Sequence, residues 1–300
     1  MTRIALVGAG RMGQVHLGVL RGLPDVEVTA VVDPVAPGAT HRDVDALLAD
    51  AVPDGAVVAA PSTLHVDVVT RLLDAGVPTL CEKPCGTTSA EARAAVAHAE
   101  LTGTPLQIGY WRRFVPALRR LQQRIADGEL GDVLLVRSEQ WDEHSPPPGF
   151  RAASGGILVD MGVHELDQIR WLTRQELTVR AVAATAAEVD GDPDVVEATY
   201  RLAGGGLAVV SLGRRYPPGD MCRVVVHGSE DVEECRFLWP PDSDRAFAEG
   251  IAAEDAAFVE LVRGGARQGA TADDAVAALA AAEATAALLD EERAPRVSGV

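Results

Sequence analysis

Residues Arg3 to Val7 form a short apolar run, and Gly8-Ala9-Gly10-Arg11-Met12-Gly13 follows it without a gap, opening a helical pattern that extends to about Gly22. A strand that turns through G-x-G-x-x-G into a helix leaves few folds open. The first glycine permits the tight turn, the second lets backbone approach a pyrophosphate, the third lets the helix pack on the strand, and the helix N-terminus attracts the anion. A second apolar run, Val26 to Val32, ends in Asp33. A carboxylate at that point of a βαβ unit can bind the adenosine ribose hydroxyls and would repel a 2′-phosphate, which favours NAD over NADP. Glycines also serve ordinary tight turns, and Asp33-Pro34 could be a bare turn. The placement of both between strand and helix carries the dinucleotide reading.

The alternation continues. A short segment rich in Pro, Gly and Ala leads to a helical stretch from Val44 to Ala49, less than a full crossover helix, so the adenine side is expected to be open. Gly55 to Ala60 reads as a strand ending in Pro61-Ser62-Thr63-Leu64-His65, and a helix from Val66 to Ala75 stops at Gly76. His65 stands at the strand edge where ligands bind in a doubly wound sheet, or equally opens the helix as a surface residue. Val77 to Leu80 is the next strand and delivers Glu82-Lys83-Pro84 to the same edge. Lys83 is the only lysine among 27 Lys and Arg residues. A lysine is a compact donor whose pKa responds to burial, whereas arginine stays charged, so Lys83 is a candidate active-site residue. Thr88 to Glu91 has the capping-box pattern for a helix to Leu101, and Leu106 to Gly109 gives another strand. There the alternation stops. Residues 1–116 are expected to form a doubly wound, parallel α/β dinucleotide-binding domain.

Residues 117–300 have a different rhythm. A helix begins at Pro116 and runs to Gly128; strands follow at Val133 to Gln140, Val179 to Ala187, Val195 to Leu202, Leu207 to Leu212 and Arg223 to His227, with a weaker one near Val232 to Phe237. This predicts an α+β domain with a mostly antiparallel open sheet and helices on one face. Asp255 to Arg263 and Asp273 to Glu292 read as closing helices that pack on it. The densest chemistry lies between Ser154 and Leu172, where Asp160, His164 and Asp167 have the i, i+4, i+7 spacing of one helical face. An ionisable stripe on an otherwise apolar helix is either a solvated face or a paired, functional one. With one histidine among the three, a metal site is not expected.

A net charge of −17 argues against nucleic acid as a partner, because phosphate backbones are held by clustered Lys and Arg. No long apolar run predicts a membrane helix, the opening apolar run is too short and is broken by Arg11, and Cys81, Cys85, Cys222 and Cys235 have neither disulfide density nor metal spacing. A cytoplasmic protein is expected, with the cysteines as small core residues.

Taken together, Gly8 to Gly13 with His16, Pro61 to His65, Glu82-Lys83-Pro84, Gly109 to Phe114, Gly155-Gly156, and Asp160 through His164 to Asp167 resemble the glucose-fructose oxidoreductase, inositol dehydrogenase and rhizopine-catabolism (Gfo/Idh/MocA) family of NAD(P)-dependent oxidoreductases, and most of all its inositol 2-dehydrogenases. The resemblance spans nearly the whole chain. It implies hydride transfer between a secondary alcohol of a cyclitol, polyol or sugar and the nicotinamide, with Lys83, Asp160 and His164 as catalytic residues and Pro84 in a cis peptide. It further implies cofactor contacts from Gly8, Gly10, Arg11, Met12, Gly13, Asp33, Pro61, Ser62, His65, Glu82 and Lys83, and substrate contacts from Trp111, Arg112, Gln140, Asp142 and Asp167. Two segments depart from the inositol pattern: Gln140-Trp141-Asp142-Glu143, where Arg-Asp-Pro or Arg-Asn-Pro is usual, and Gly219-Asp220-Met221-Cys222-Arg223, where a tyrosine is missing. A dinucleotide-sensing regulator and an NAD-dependent glycoside hydrolase are the rival functions on the same fold. An exposed sheet face in the second domain suggests a homodimer or homotetramer.

Overall fold

The computed structural model describes residues 1–185, 187–189, 191–240 and 242–293; the end of the expected second domain, 294–300, lies outside them, as does Ala186 in the expected strand from Val179 to Ala187. In chain order the elements are β1 (Thr2–Val7), α1 (Arg11–Gly22), β2 (Val26–Val32), α2 (Val44–Asp50), β3 (Gly55–Val58), α3 (His65–Asp74), β4 (Thr79–Glu82), α4 (Ser89–Thr102), β5 (Leu106–Gly109) and α5 (Pro116–Ala126). Then come β6 (Val133–Trp141), α6 (Pro148–Ala153), a π-helical turn (Leu158–Gly162), α7 (Val163–Thr173), β7 (Leu177–Ala184), β8 (Ala187–Val189), β9 (Asp192–Pro193), β10 (Val195–Leu202), β11 (Leu207–Gly213), β12 (Met221–Gly228) and β13 (Val232–Leu238). The last are α8 (Ser243–Val262), β14 (Ala270–Thr271) and α9 (Ala272–Arg293).

The chain divides into two compact units, Met1–Pro116 with Asp244–Ala277, and Ala117–Ser243 with the chain from Ala278. In the first, a six-stranded sheet has the order β14-β5-β4-β3-β1-β2, parallel except where β14 runs against β5. Every residue of β3, β4 and β5 is buried, as a parallel sheet covered on both faces requires. In the second unit the order is β13-β12-β6-β11-β10-β7, antiparallel apart from β6 with β11. Burial alternates along β10, which marks a sheet with one covered face. The architecture is a mostly parallel Rossmann sheet followed by a mostly antiparallel one. No helix among the described residues is long and apolar enough to cross a membrane.

The C-terminal third corrects the expected division. The sequence assigns everything beyond residue 116 to the second domain and starts a closing helix at Asp255, whereas α8 begins at Ser243 and residues 244–277 belong to the first unit. The reason is apolar burial: Phe258 and Val259 of α8 pack in one cluster with Ile4 and Leu6 of β1, Val57 of β3 and Leu80 of β4. β14 then adds an edge strand through Ala270 and Thr271. Truncating Phe258, which is fully buried, to alanine removes contacts worth about 3–5 kcal/mol. Phe258→Ala should therefore lower amide-exchange protection in β1, β3 and β4 while β10, β11 and β12 keep theirs; the reverse pattern would contradict the assignment of α8.

Candidate active site

In a parallel sheet every strand ends on the same edge, and the loops beyond β1, β2, β3 and β4 carry Gly8 to Gly13, Asp33, Pro61-Ser62 and Lys83 respectively. The sheet order reverses between β1 and β3, the point where ligands bind in open α/β sheets. Gly8 has φ 91°, and a Cβ there would lie 2.6 Å from the Ala59 carbonyl carbon. At Gly13 a Cβ would lie 2.0 Å from the Gly8 oxygen, so only glycine lets α1 approach the turn that closely. Gly10 faces open space. No side chain caps α1, and its first turn carries no acidic residue, which leaves the helix N-terminus, with exposed Arg11 and half-buried Met12, suited to an anion.

Asp33 is spread over both sides of this turn. Its Oδ2 accepts the Ala9 amide at 2.9 Å, and its Oδ1 accepts the amides of Val35 at 2.9 Å and Ala36 at 2.8 Å. These bonds, Ala9 first, hold its pKa below the ordinary aspartate value and keep it anionic. The charged group retains acceptor capacity for ribose hydroxyls. The residues present thus fit NAD: an uncapped helix end for the pyrophosphate, a cleared glycine beside it, and a fixed carboxylate at the end of β2.

Lys83 follows β4, half-buried, and its peptide with Pro84 is cis, as the resemblance implied. Glu82 is buried, and the ring nitrogens of buried His65 lie within hydrogen-bond distance of the Pro84 and Ala60 carbonyls. Trp111 and Arg112 lie in a buried turn from Trp111 to Phe114; Trp111 stands edge-on to Phe247 at 5.2 Å.

In the second unit Asp160 occupies the π-helical turn, a local distortion frequent at functional sites. His164 is in the first turn of α7 and is buried, as is Asp167. A solvated face is therefore excluded for these two. The i, i+4, i+7 spacing assumed a regular α-helix through Asp160, and the wider turn alters that phase.

A buried ion network that the sequence did not disclose braces this turn. Arg214, 0% exposed, reaches Asp160 at 3.3 Å and Asp192 at 3.1 Å. Arg151 reaches the same Asp192 at 2.8 Å and Asp194 at 2.7 Å. Asp192 also accepts the Ile157 amide at 2.8 Å, just before the distorted turn. The one sequence signal was Asp192 and Asp194 flanking a proline, which reads as a turn. On α7 itself, Ser138 of β6 donates to Glu165 and accepts from Gln168 at 3.0 Å, fixing the helix to the sheet.

Gln140 lies near the end of β6, and its amide donates to Asp142 at 3.2 Å. Burial pushes the Asp142 pKa up to about 6, against the Gln140 bond, with Asp220 and Asp160 adding to the rise. The Glu143 amide donates to Asp220 at 2.7 Å. The two segments that depart from the inositol pattern are therefore bonded to each other.

Residues 2–110 match the oxidoreductase family with an NAD-binding Rossmann fold, and residues 118–232 match the GFO/IDH/MocA C-terminal domain. The rhizopine catabolism protein MocA of Rhizobium meliloti is 47% identical, over 97% of this chain and 96% of its own. The chain belongs to the Gfo/Idh/MocA family. An inositol 2-dehydrogenase of Rhizobium meliloti (strain 1021) is 31% identical over 97% of this chain and 98% of its own. The crystal structure of a myo-inositol dehydrogenase from Corynebacterium glutamicum ATCC 13032 superimposes with a TM-score of 0.87 at 27% identity, covering 97% of both chains. This family member is an NAD-binding oxidoreductase, inositol dehydrogenase-like.

Gly10→Ala adds a methyl group where the protein leaves room, so stability should stay within about 0.5 kcal/mol while NADH binds at least about tenfold more weakly. Gly8→Ala should instead lose ~1–3 kcal/mol of stability from strain. Thermal melts and NADH fluorescence titrations separate the two. Asp142 binds a proton more readily folded than unfolded, so its contribution turns unfavourable as pH rises from the unfolded carboxylate range through about 6. Asp142→Asn should therefore stabilise the protein by about 1–3 kcal/mol at pH 7 and leave it unchanged near pH 3, as urea unfolding at both pH values would show.

Proposed function

We propose that the protein catalyses reversible hydride transfer between a ring secondary alcohol of an inositol-like cyclitol, or a related polyol or sugar, and NAD. The observation that carries this reading is the delivery of the sole lysine, Lys83, to the strand edge that the Gly8 turn and Asp33 occupy. NAD, when bound, supplies the hydride acceptor. His164 acts as general base: it takes the hydroxyl proton as the carbinol hydrogen leaves as hydride, and the alcohol becomes a ketone. Asp160 stabilises the imidazolium that forms, and Arg214 holds Asp160 in place. Lys83 donates a hydrogen bond to the reacting oxygen and stabilises negative charge as it develops there.

Substrate choice is assigned to Gln140, Asp142 and Asp167, with Trp111 and Arg112, as hydroxyl-binding or shape-setting groups. The bonded pair of departing segments, Asp142-Glu143 and Asp220, supports a substrate that differs in its substituents from a plain inositol. NAD rather than NADP is supported by the anionic Asp33. Exposed Leu134, Leu207 and Val232 support a homodimer or homotetramer, which light scattering would measure.

A panel of cyclitols, polyols and sugars, assayed with NAD and NADP in parallel, should give steady NADH formation with a cyclitol and little with NADP. Lys83→Met and His164→Ala should each lower kcat by about 10²–10⁴-fold while NADH affinity is kept. Near-normal turnover in both variants, or a strong NADP preference, would overturn the respective assignment.

A further inference from the structure

Two buried histidines of the first unit stand on either side of Lys83. His16, on α1 and 0% exposed, places Nδ1 2.8 Å from Asp255 of α8 and Nε2 3.0 Å from Glu82. The other oxygen of Glu82 accepts the backbone amide of Lys83 at 3.1 Å. On the far side, His65, 1% exposed and with its pKa lowered by burial, places Nδ1 2.8 Å from the Pro84 carbonyl and Nε2 2.7 Å from the Ala60 carbonyl in the loop after β3; the neutral ring has one N–H, and with it on Nδ1 the ring donates to Pro84. The residues before and after Lys83 thus each have a histidine partner, His16 from α1 for Glu82 and His65 from α3 for Pro84.

We infer that His16 and His65 are positioning residues for Lys83, clamping its two flanking residues so that the ammonium is held at one place on the cofactor edge of the sheet. The inference rests on the proposed role of Lys83. Three points support it. A buried charged cluster seldom adds stability over an apolar one of the same volume, so its presence behind Glu82 calls for another role, and fixing geometry is the one at hand. Burial opposes charge on His16, yet Asp255 and Glu82 outweigh it and hold the ring well above its ordinary pKa, while His16 in turn keeps Glu82 ionised. The Asp255 carboxyl is pushed up by burial, and its Oδ2 is buried without a hydrogen-bond partner among the described residues, so the cluster is not arranged to satisfy every group. Lysine has a long flexible side chain; holding its backbone on both sides removes the motion that the side chain cannot remove for itself.

Because Lys83 is the only lysine, incorporation of ¹³Cε-lysine gives a single side-chain resonance that reports its surroundings without cofactor. The test compares wild type with His16→Gln, His65→Gln and the milder Asp255→Asn, which keeps an acceptor for His16 if the histidine variants fold poorly. The expected result is a displaced or broadened Lys83 resonance in the cofactor-free variants. With substrate, kcat should fall tenfold or more for the histidine variants and severalfold for Asp255→Asn, with NADH affinity within about twofold. Combined with Lys83→Met, neither histidine change should lower kcat further, since a group acting through Lys83 has nothing left to position. An unmoved resonance with full kcat in folded variants would overturn the inference, as would histidine effects that multiply with Lys83→Met. Absence of turnover by wild type on any cyclitol, or full activity of Lys83→Met, would instead strike the proposed function and leave the resonance comparison to decide the clamp.

Discussion

Parallel strands put all their C-terminal ends on one edge, and the chemistry of the first unit depends on that constraint. It gathers a glycine turn, a carboxylate, a proline-serine turn and a lysine from four separate stretches of chain without any contact among those stretches in sequence. The same arrangement has a cost, since parallel strands must be covered on both faces. The chain meets it by returning long after the first sheet is complete, when α8 brings Phe258 and Val259 onto β1, β3 and β4. That return also delivers Asp255 to His16, so covering the sheet and bracing the strand edge are accomplished by one helix.

The second unit solves a different problem. Asp160 lies in an irregular turn, and irregular backbone needs partners that regular helix does not. Arg214, Asp192 and Arg151 supply them, with Asp192 binding both guanidinium groups and a backbone amide. Breaking such a buried network at one member leaves an uncompensated charge, which typically costs about 3–5 kcal/mol. Separately, Ser138 ties Glu165 and Gln168 of α7 to β6. The helix bearing His164 is therefore fixed by polar bonds on its buried side.

Much of this was legible from residue order. The Gly8 turn, Asp33, the isolated Lys83 and the Asp160 to Asp167 run are local signals, each specified by a few adjacent residues whose backbone requirements do not depend on distant partners. The longer strands were legible too, because buried runs and alternating runs announce which sheets they join, whereas the short β8, β9 and β14 carry no such pattern. The extent of α8 was not, since no residue near Ser243 states where a helix will pack. Arg151, Asp192 and Arg214 were invisible as a group because Arg151 meets Asp192 across 41 residues and Arg214 meets Asp160 across 54, and His16 finds Asp255 across 239. His65 was read with two open roles, at the ligand edge or on the surface, and it lies buried behind the edge, bonded to backbone.

What the sequence determined by itself was the set of chemical parts and the fold that carries them: a dinucleotide turn and one lysine in the first domain, and an acid and a histidine close in sequence in the second. Those follow from short-range sterics and from the periodicity of apolar residues. What only the tertiary structure decided was which parts are held and by what: the return of α8, the two histidines flanking Lys83, and the arginines that brace the Asp160 turn. These depend on which surfaces the folded chain has left uncovered and which buried charges it must pair, and neither condition exists until the sheets have formed.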